Sequence, residues 1–140
     1  MNIYIKRDCS NINWNEVRDI IKEVGMSCVD VELHKKSFEN SYTVVFIFDD
    51  DKLIGFGRAI SDGIRQAAIY DVAITPKYQG KGLGKLIIEN IISATPNCNF
   101  ILYASPGKEG FYEKLGFKKL KTGMGIFVNM ERMKSKNFIE

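Results

Sequence analysis

Gln79-Gly80-Lys81-Gly82-Leu83-Gly84 constrains this chain more than any other stretch, because it packs three glycines between a β-branched run and an amphipathic one. Before it, Ala67–Thr75 reads as an apolar strand stopped by Pro76. After it, Leu86, Ile87, Ile91 and Ile92 recur at helical spacing, which predicts a helix over Leu83–Ala94 that ends before Pro96. Glycine allows left-handed backbone angles and close approach to a ligand with no Cβ in the way. The free N–H groups of the helix's first turn then face that ligand, with the positive end of the helix dipole behind them. Lys81 and Lys85 add charge at the same spot. That is the chemistry of a pyrophosphate cradle; a loop that merely turns from strand to helix stays open as the alternative.

Spacing removes two nucleotide-binding readings. A Walker loop ending on Gly84-Lys85 needs glycine at 79 and Ser or Thr at 86, where this chain has Gln79 and Leu86. A dinucleotide fingerprint needs G-x-G-x-x-G, whereas Gly80, Gly82 and Gly84 alternate.

The rest of the chain supplies a frame. Met1–Lys6 predicts a first strand. Asn13 caps a helix that carries Val17, Ile20, Ile21 and Val24 on one face and ends at Gly25. A second helix covers about Asp30–Phe38. Tyr42–Phe48 and Leu53–Ile60 form a hairpin across Asp49-Asp50-Asp51-Lys52, and Ser61-Asp62-Gly63 turns the chain into the Ala67–Thr75 strand. Phe100–Ala104 predicts a strand, Lys108–Leu115 a short helix closed by Gly116, and Phe117–Lys121 and Gly125–Met130 two last strands before a polar tail. The order β-α-α-β-β-β-α-β-α-β-β describes a mainly antiparallel meander leading into one strand–helix–strand crossover.

With 140 residues, 45% of them hydrophobic, the chain suits a single domain over 1–140 with a sizeable core. Its net charge of +3 argues for neither nucleic acid nor membrane binding. Cys9, Cys28 and Cys98 are scattered and form no C-x-x-C pair, so neither a disulfide framework nor a metal site is expected. The first ten residues lack an apolar signal core, so a cytoplasmic protein is expected.

Val72-Ala73-Ile74-Thr75-Pro76-Lys77-Tyr78-Gln79-Gly80-Lys81-Gly82-Leu83-Gly84 resembles the acetyl-CoA signature of the GNAT superfamily of N-acetyltransferases, whose core Q/R-x-x-G-x-G/A is met by Gln79, Gly82 and Gly84. Phe111-Tyr112-Glu113-Lys114-Leu115-Gly116-Phe117 resembles that superfamily's second common motif, in the right order and with the Phe100–Ala104 strand between. The resemblance implies an α+β, GNAT-type fold. Its mostly antiparallel sheet of six to seven strands would be splayed at the cofactor strand and flanked by about four helices. It also implies acetyl-CoA as cosubstrate and a primary amine of a small molecule as acceptor, with direct transfer. A protein N-terminal or lysine acetyltransferase and a non-catalytic CoA-binding regulatory module are the alternatives. Homodimers are common in that superfamily, often through the C-terminal strands, and no residue here specifies one.

On matching positions, the backbone of Val72, Ala73 and Ile74 would pair with the pantetheine arm beside a bulge. Gln79, Gly80, Lys81, Gly82, Leu83, Gly84 and Lys85 would hold the pyrophosphate. Tyr112 falls where many members keep a tyrosine near the CoA sulfur, and a phenol there can protonate the departing thiolate. A packing tyrosine flanked by Phe111 and Leu115 is the competing reading. Many members have Asn just after the intervening strand and a small residue three positions on; this chain has Ser105 and Lys108.

An alkylamine with a pKa of about 10.4 must give up a proton before it attacks, at a cost of roughly 4–5 kcal/mol at neutral pH. The superfamily's commonest glutamate position corresponds to Ala68, so Tyr70 and Asp71 are the nearby polar candidates. An aspartate inside a strand of Ile, Val and Ala is expensive to bury unpaired. Asp71 therefore either is a catalytic base or makes a structural hydrogen bond to a neighbouring strand or loop, and a bulge would shift which face it takes. Asp62 reads as part of a surface turn and His34 as a surface histidine. Arg58, Ser61-Asp62-Gly63 and Ile69-Tyr70-Asp71-Val72 together are similar to a branch of small bacterial and plastid GNAT proteins, some of which acetylate arylalkylamines or polyamines.

Overall fold

Alternation along the second strand decides where the layers go. Val44 and Phe46 point to one face and Val45 and Ile47 to the other, and all four are buried, so helices must cover both sides. In the computed structural model, which describes residues 1–95 and 97–140, they do. The helix end expected at Pro96 lies outside the described residues.

The elements run β1 (Ile3–Lys6), α1 (Trp14–Glu23), α2 (Val31–Glu39), β2 (Thr43–Asp49), β3 (Lys52–Ser61), β4 (Gln66–Ile74), a 3-10 turn (Pro76–Tyr78), α3 (Leu83–Ala94), β5 (Asn99–Ile101), α4 (Glu109–Lys114) and α5 (Met130–Ser135). β1 to β5 form one sheet in sequence order, antiparallel except for the β4–β5 pair. A parallel pair needs a crossover, which α3 provides. The chain forms two compact units, Met1–Leu102 and Tyr103–Glu140.

In the first unit, α1 and α2 cover one sheet face. Trp14, Val17, Ile20, Ile21 and Phe38 pack there against Val44, Phe46 and Phe56. Phe38, Phe46 and Phe56 lie 5.4–6.4 Å apart between ring centroids, the spacing at which aromatic edges and faces attract. Both helices start on side-chain caps. Asn13 accepts from the Asn15 N–H at 3.0 Å, and Asp30 from the Glu32 N–H at 3.3 Å. The opposite face takes α3 through Ile87 and Ile91. A Cβ on Gly57 would lie 2.8 Å from Ile87 Cγ2 and 3.1 Å from Ile91 Cδ1, so glycine there admits the helix at close range.

His34 is buried, contrary to the expected surface position. The Asp30 cap starts α2 so that the ring turns inward, and its Nε2 accepts from the Val29 N–H at 3.0 Å. Burial comes first among the causes that push its pKa below the ordinary value.

The sheet has five strands rather than the six or seven expected. Phe117–Lys121 and Gly125–Met130 join no ladder, and Met124, Ile126 and Val128 are almost wholly exposed. The supposed polar tail instead forms α5, whose cap Asn129 accepts from the Arg132 N–H at 2.9 Å. In the second unit, Tyr103 meets Phe127 and Phe138 edge-on at 5.5 and 5.9 Å.

Candidate active site

Two features of β4 shape the site. The first is where its pairing stops. β5 pairs only with Gln66, Ala67 and Ala68, so β4 runs on through Ile69–Ile74 with no β5 residue beside it. Among the described residues no strand pairs with that side of β4, and an unpaired strand edge is one to which an extended ligand can add main-chain hydrogen bonds.

The second feature is a bulge. Phe56 pairs with Ala73 and Arg58 with Tyr70, so Asp71 and Val72 together oppose Gly57. Asp71 carries the extra residue in a left-handed conformation, φ 55°, which aspartate tolerates better than its β-branched neighbours would. The bulge also changes which way Asp71 faces. Its carboxylate reaches Arg58, on the side to which Tyr70 points, and Oδ2 accepts from Arg58 Nε at 2.7 Å. The pair is largely buried, with side chains 14% and 23% exposed. Arg58 also donates to Ser41 Oγ at 3.2 Å and sits 5.7 Å from the Phe38 ring centroid and 5.5 Å from that of Tyr70.

Beyond Ile74 the chain makes the Pro76–Tyr78 turn. Tyr78 donates to Asp49 Oδ2 at 2.6 Å, and Gln79 Nε2 returns to the Ile74 carbonyl at 2.9 Å, fastening the loop to the end of β4. Gly80 and Gly82 then take φ of 77° and 79°. A Cβ built on either meets no protein atom within 4 Å, so the space in front of them is open. Gly82 is the N-cap of α3 and offers no side chain, while the first helical bond there runs from the Leu86 N–H to the Gly82 carbonyl. The amides of Leu83, Gly84 and Lys85 therefore open the helix with no side-chain cap. Leu83 is buried and anchors the turn, and Lys81 and Lys85 are exposed beside it. This is an anion-receiving helix start with room at the glycines for the ligand's backbone. The residues present fit a pyrophosphate.

The stretch from Asp71 to Lys85 thus lies together in the first unit. Tyr112 stands on α4 in the second, half-buried, its ring 4.9 Å from that of Phe111 and 5.8 Å from that of Phe117. Burial pushes its phenol above the ordinary value. Among the described residues no three His, Cys, Asp or Glu side chains gather where they could hold a metal ion. Asp62 behaves as a turn residue: Oδ1 accepts from the N–H groups of Ile64, Arg65 and Gln66 at 2.8, 2.8 and 3.1 Å.

Those three bonds hold the Asp62 carboxyl below its ordinary value, Arg65 contributing most. A depressed carboxyl stabilises the fold above the unfolded value of 3.8 and loses that effect as pH falls through the folded one. Asp62→Asn keeps an acceptor but loses the titration. Its melting temperature is expected to drop less than that of the wild type as pH is lowered from about 5 to about 3. Parallel melting curves by circular dichroism would remove Asp62 from the acid response.

Arg58 as a partner of Asp71 was the feature of this region that the sequence alone did not single out. The available signal was a second charge, of opposite sign, inside the neighbouring apolar strand Leu53–Ile60.

A strand edge that β5 leaves unpaired, running into a glycine-rich, uncapped helix start, suits an extended ligand that ends in a pyrophosphate. The chain matches the family model described as an acetyltransferase (GNAT) domain over residues 15–130. It belongs to the GNAT family of N-acetyltransferases. The N-acetyltransferase ycf52 of Pyropia yezoensis, itself uncharacterized, is 35% identical over 89% of this chain and 76% of its own length. Rice serotonin N-acetyltransferase 2, a chloroplastic protein, is 29% identical over 81% of this chain and 60% of its own. Among solved structures, a probable acetyltransferase from Staphylococcus aureus superposes with a TM-score of 0.78 at 27% identity, covering 90% of this chain and 99% of that one.

Proposed function

We propose that this N-acetyltransferase transfers an acetyl group directly from acetyl-CoA to a primary amine of a small molecule, with no acyl-enzyme intermediate. The uncapped start of α3 behind Gly80 and Gly82 is the observation that carries the donor half of this reading. Gln79 to Lys85 would hold the pyrophosphate, and the open edge at Val72, Ala73 and Ile74 would meet the pantetheine arm. Acetyl-CoA supplies an acyl group on a good leaving thiolate. Tyr112 would return a proton to that thiolate, a role favoured by the burial that keeps its phenol protonated. For the amine's own proton, Asp71 and Tyr70 stand at the bulge as candidate acceptors, directly or through water. The serotonin N-acetyltransferase name of the rice relative supports a small arylalkylamine as acceptor.

The test is acetyl transfer by the purified protein across primary arylalkylamines, polyamines and peptides with free N-termini or lysines. The expected result is a higher kcat/KM on a small amine than on any peptide. Incubation with acetyl-CoA alone should leave the protein mass unchanged. A preference for peptides would reassign the protein to N-terminal or lysine acetylation. CoA binding with no turnover on any acceptor would make it a binding module.

A further inference from the structure

Arg58 is engaged by four groups from three segments of the chain. Asp71 of β4 accepts from its Nε, Ser41 after α2 accepts from NH1, and the rings of Phe38 in α2 and Tyr70 in β4 lie on it. A guanidinium held this way has little freedom left, and its planar fork fixes direction as well as distance. What it holds is the one residue of β4 in the left-handed region, at the point where the strand shifts register.

We infer that Arg58 is a positioning residue for acyl transfer: through Asp71 it locks the β4 bulge, and so sets the backbone edge along which the thioester would lie. This rests on the reading of that edge as the pantetheine site. Without the clamp, Asp71 has reason to leave the left-handed region, and the extra residue can migrate along β4 and change which groups face the open edge. A displaced edge misaligns the carbonyl that the amine attacks, while the pyrophosphate amides of α3 stay where they are. Misplacement by about 1 Å can cost 100-fold in rate, so a partial slip should cost about tenfold. Asp71 then works chiefly through geometry, its charge balanced by Arg58.

The full chain is compared with Arg58→Gln, Arg58→Lys, Asp71→Asn and the Arg58→Gln/Asp71→Asn double variant. Asparagine also tolerates left-handed angles, so Asp71→Asn removes charge and little else. The expected result is a kcat about tenfold lower for Arg58→Gln and for Asp71→Asn. KM for acetyl-CoA and the calorimetric Kd for CoA should stay within about threefold, and the double variant should be no worse than either single one. Arg58→Lys, which keeps the charge but not the fork, should recover part of the loss. Amide exchange of Ile69–Ile74 should quicken in Arg58→Gln, with that of α3 unchanged.

An unchanged kcat in Arg58→Gln would overturn the clamp, as would a double variant in which the two losses multiply. The latter would mark Asp71 as a base acting independently of Arg58. A CoA affinity that falls in step with kcat would overturn it too, since the effect would then be general loosening. If Arg58→Gln does not fold, Asp71→Asn and Arg58→Lys carry the same comparison. If the wild-type protein itself fails to bind CoA, the pantetheine reading falls and the clamp with it. Wild-type turnover with an unaffected Arg58→Gln sinks the clamp alone.

Discussion

Gly82→Val is expected to weaken CoA binding about 100-fold, equivalent to about 2.7 kcal/mol, as measured by titration calorimetry. Two effects combine. Gly82 has φ 79°, a conformation that costs a side-chain-bearing residue about 1–2 kcal/mol and a β-branched one the most. In addition, a Cβ at this position meets no protein atom within 4 Å, so valine would fill the volume that bound phosphates would need. The first effect lowers stability and the second lowers affinity, and Gly82→Asn separates them. Asparagine accepts the left-handed angle but still fills the cradle, so it should melt close to the wild type while losing much of the affinity. Undiminished CoA binding by Gly82→Val would sink the assignment of this turn to the pyrophosphate.

Tyr112→Phe is expected to lower kcat about 100-fold, within the usual contribution of a positioned proton donor, and to leave the Kd for CoA unchanged. The ring's contacts with Phe111 and Phe117 need no hydroxyl, so packing of α4 survives the change. The wild-type pH profile sharpens the test. A donor must be protonated, and burial pushes this phenol above its ordinary value of 10.0. Loss of activity through Tyr112 should therefore begin only above about pH 10. A kcat equal to that of the wild type would reduce Tyr112 to a packing residue.

Much of the first unit was legible because its signals are local. Asn13 announced α1, the β-branched runs announced β2 to β4, and the glycines announced the uncapped start of α3. The C-terminal stretch misled for a physical reason. Ile126, Val128 and Met130 alternate as a strand would, but alternation measures suitability for a sheet, and a sheet needs a neighbour. Backbone groups there find local partners instead: the Phe127 N–H meets Met130 Sδ at 3.1 Å, and Asn129 caps α5. Helix formers after that asparagine were the overlooked sign. The Arg58–Asp71 pair was out of reach for another reason. Each charge alone looks like an isolated oddity in an apolar strand, and only the register of β3 on β4, offset by the bulge, brings them within 2.7 Å.

Gly57 joins these threads. It lies opposite the bulge on one strand and beneath α3 on the other face, where a single added carbon would collide with Ile87. The helix that opens with no side-chain cap is therefore seated at a depth set by a missing atom. Tolerance at this position should be narrow although the residue has no chemistry of its own. A catalogue of charged and polar groups would pass over it, yet the seat of α3 on the sheet is tuned by what is not there.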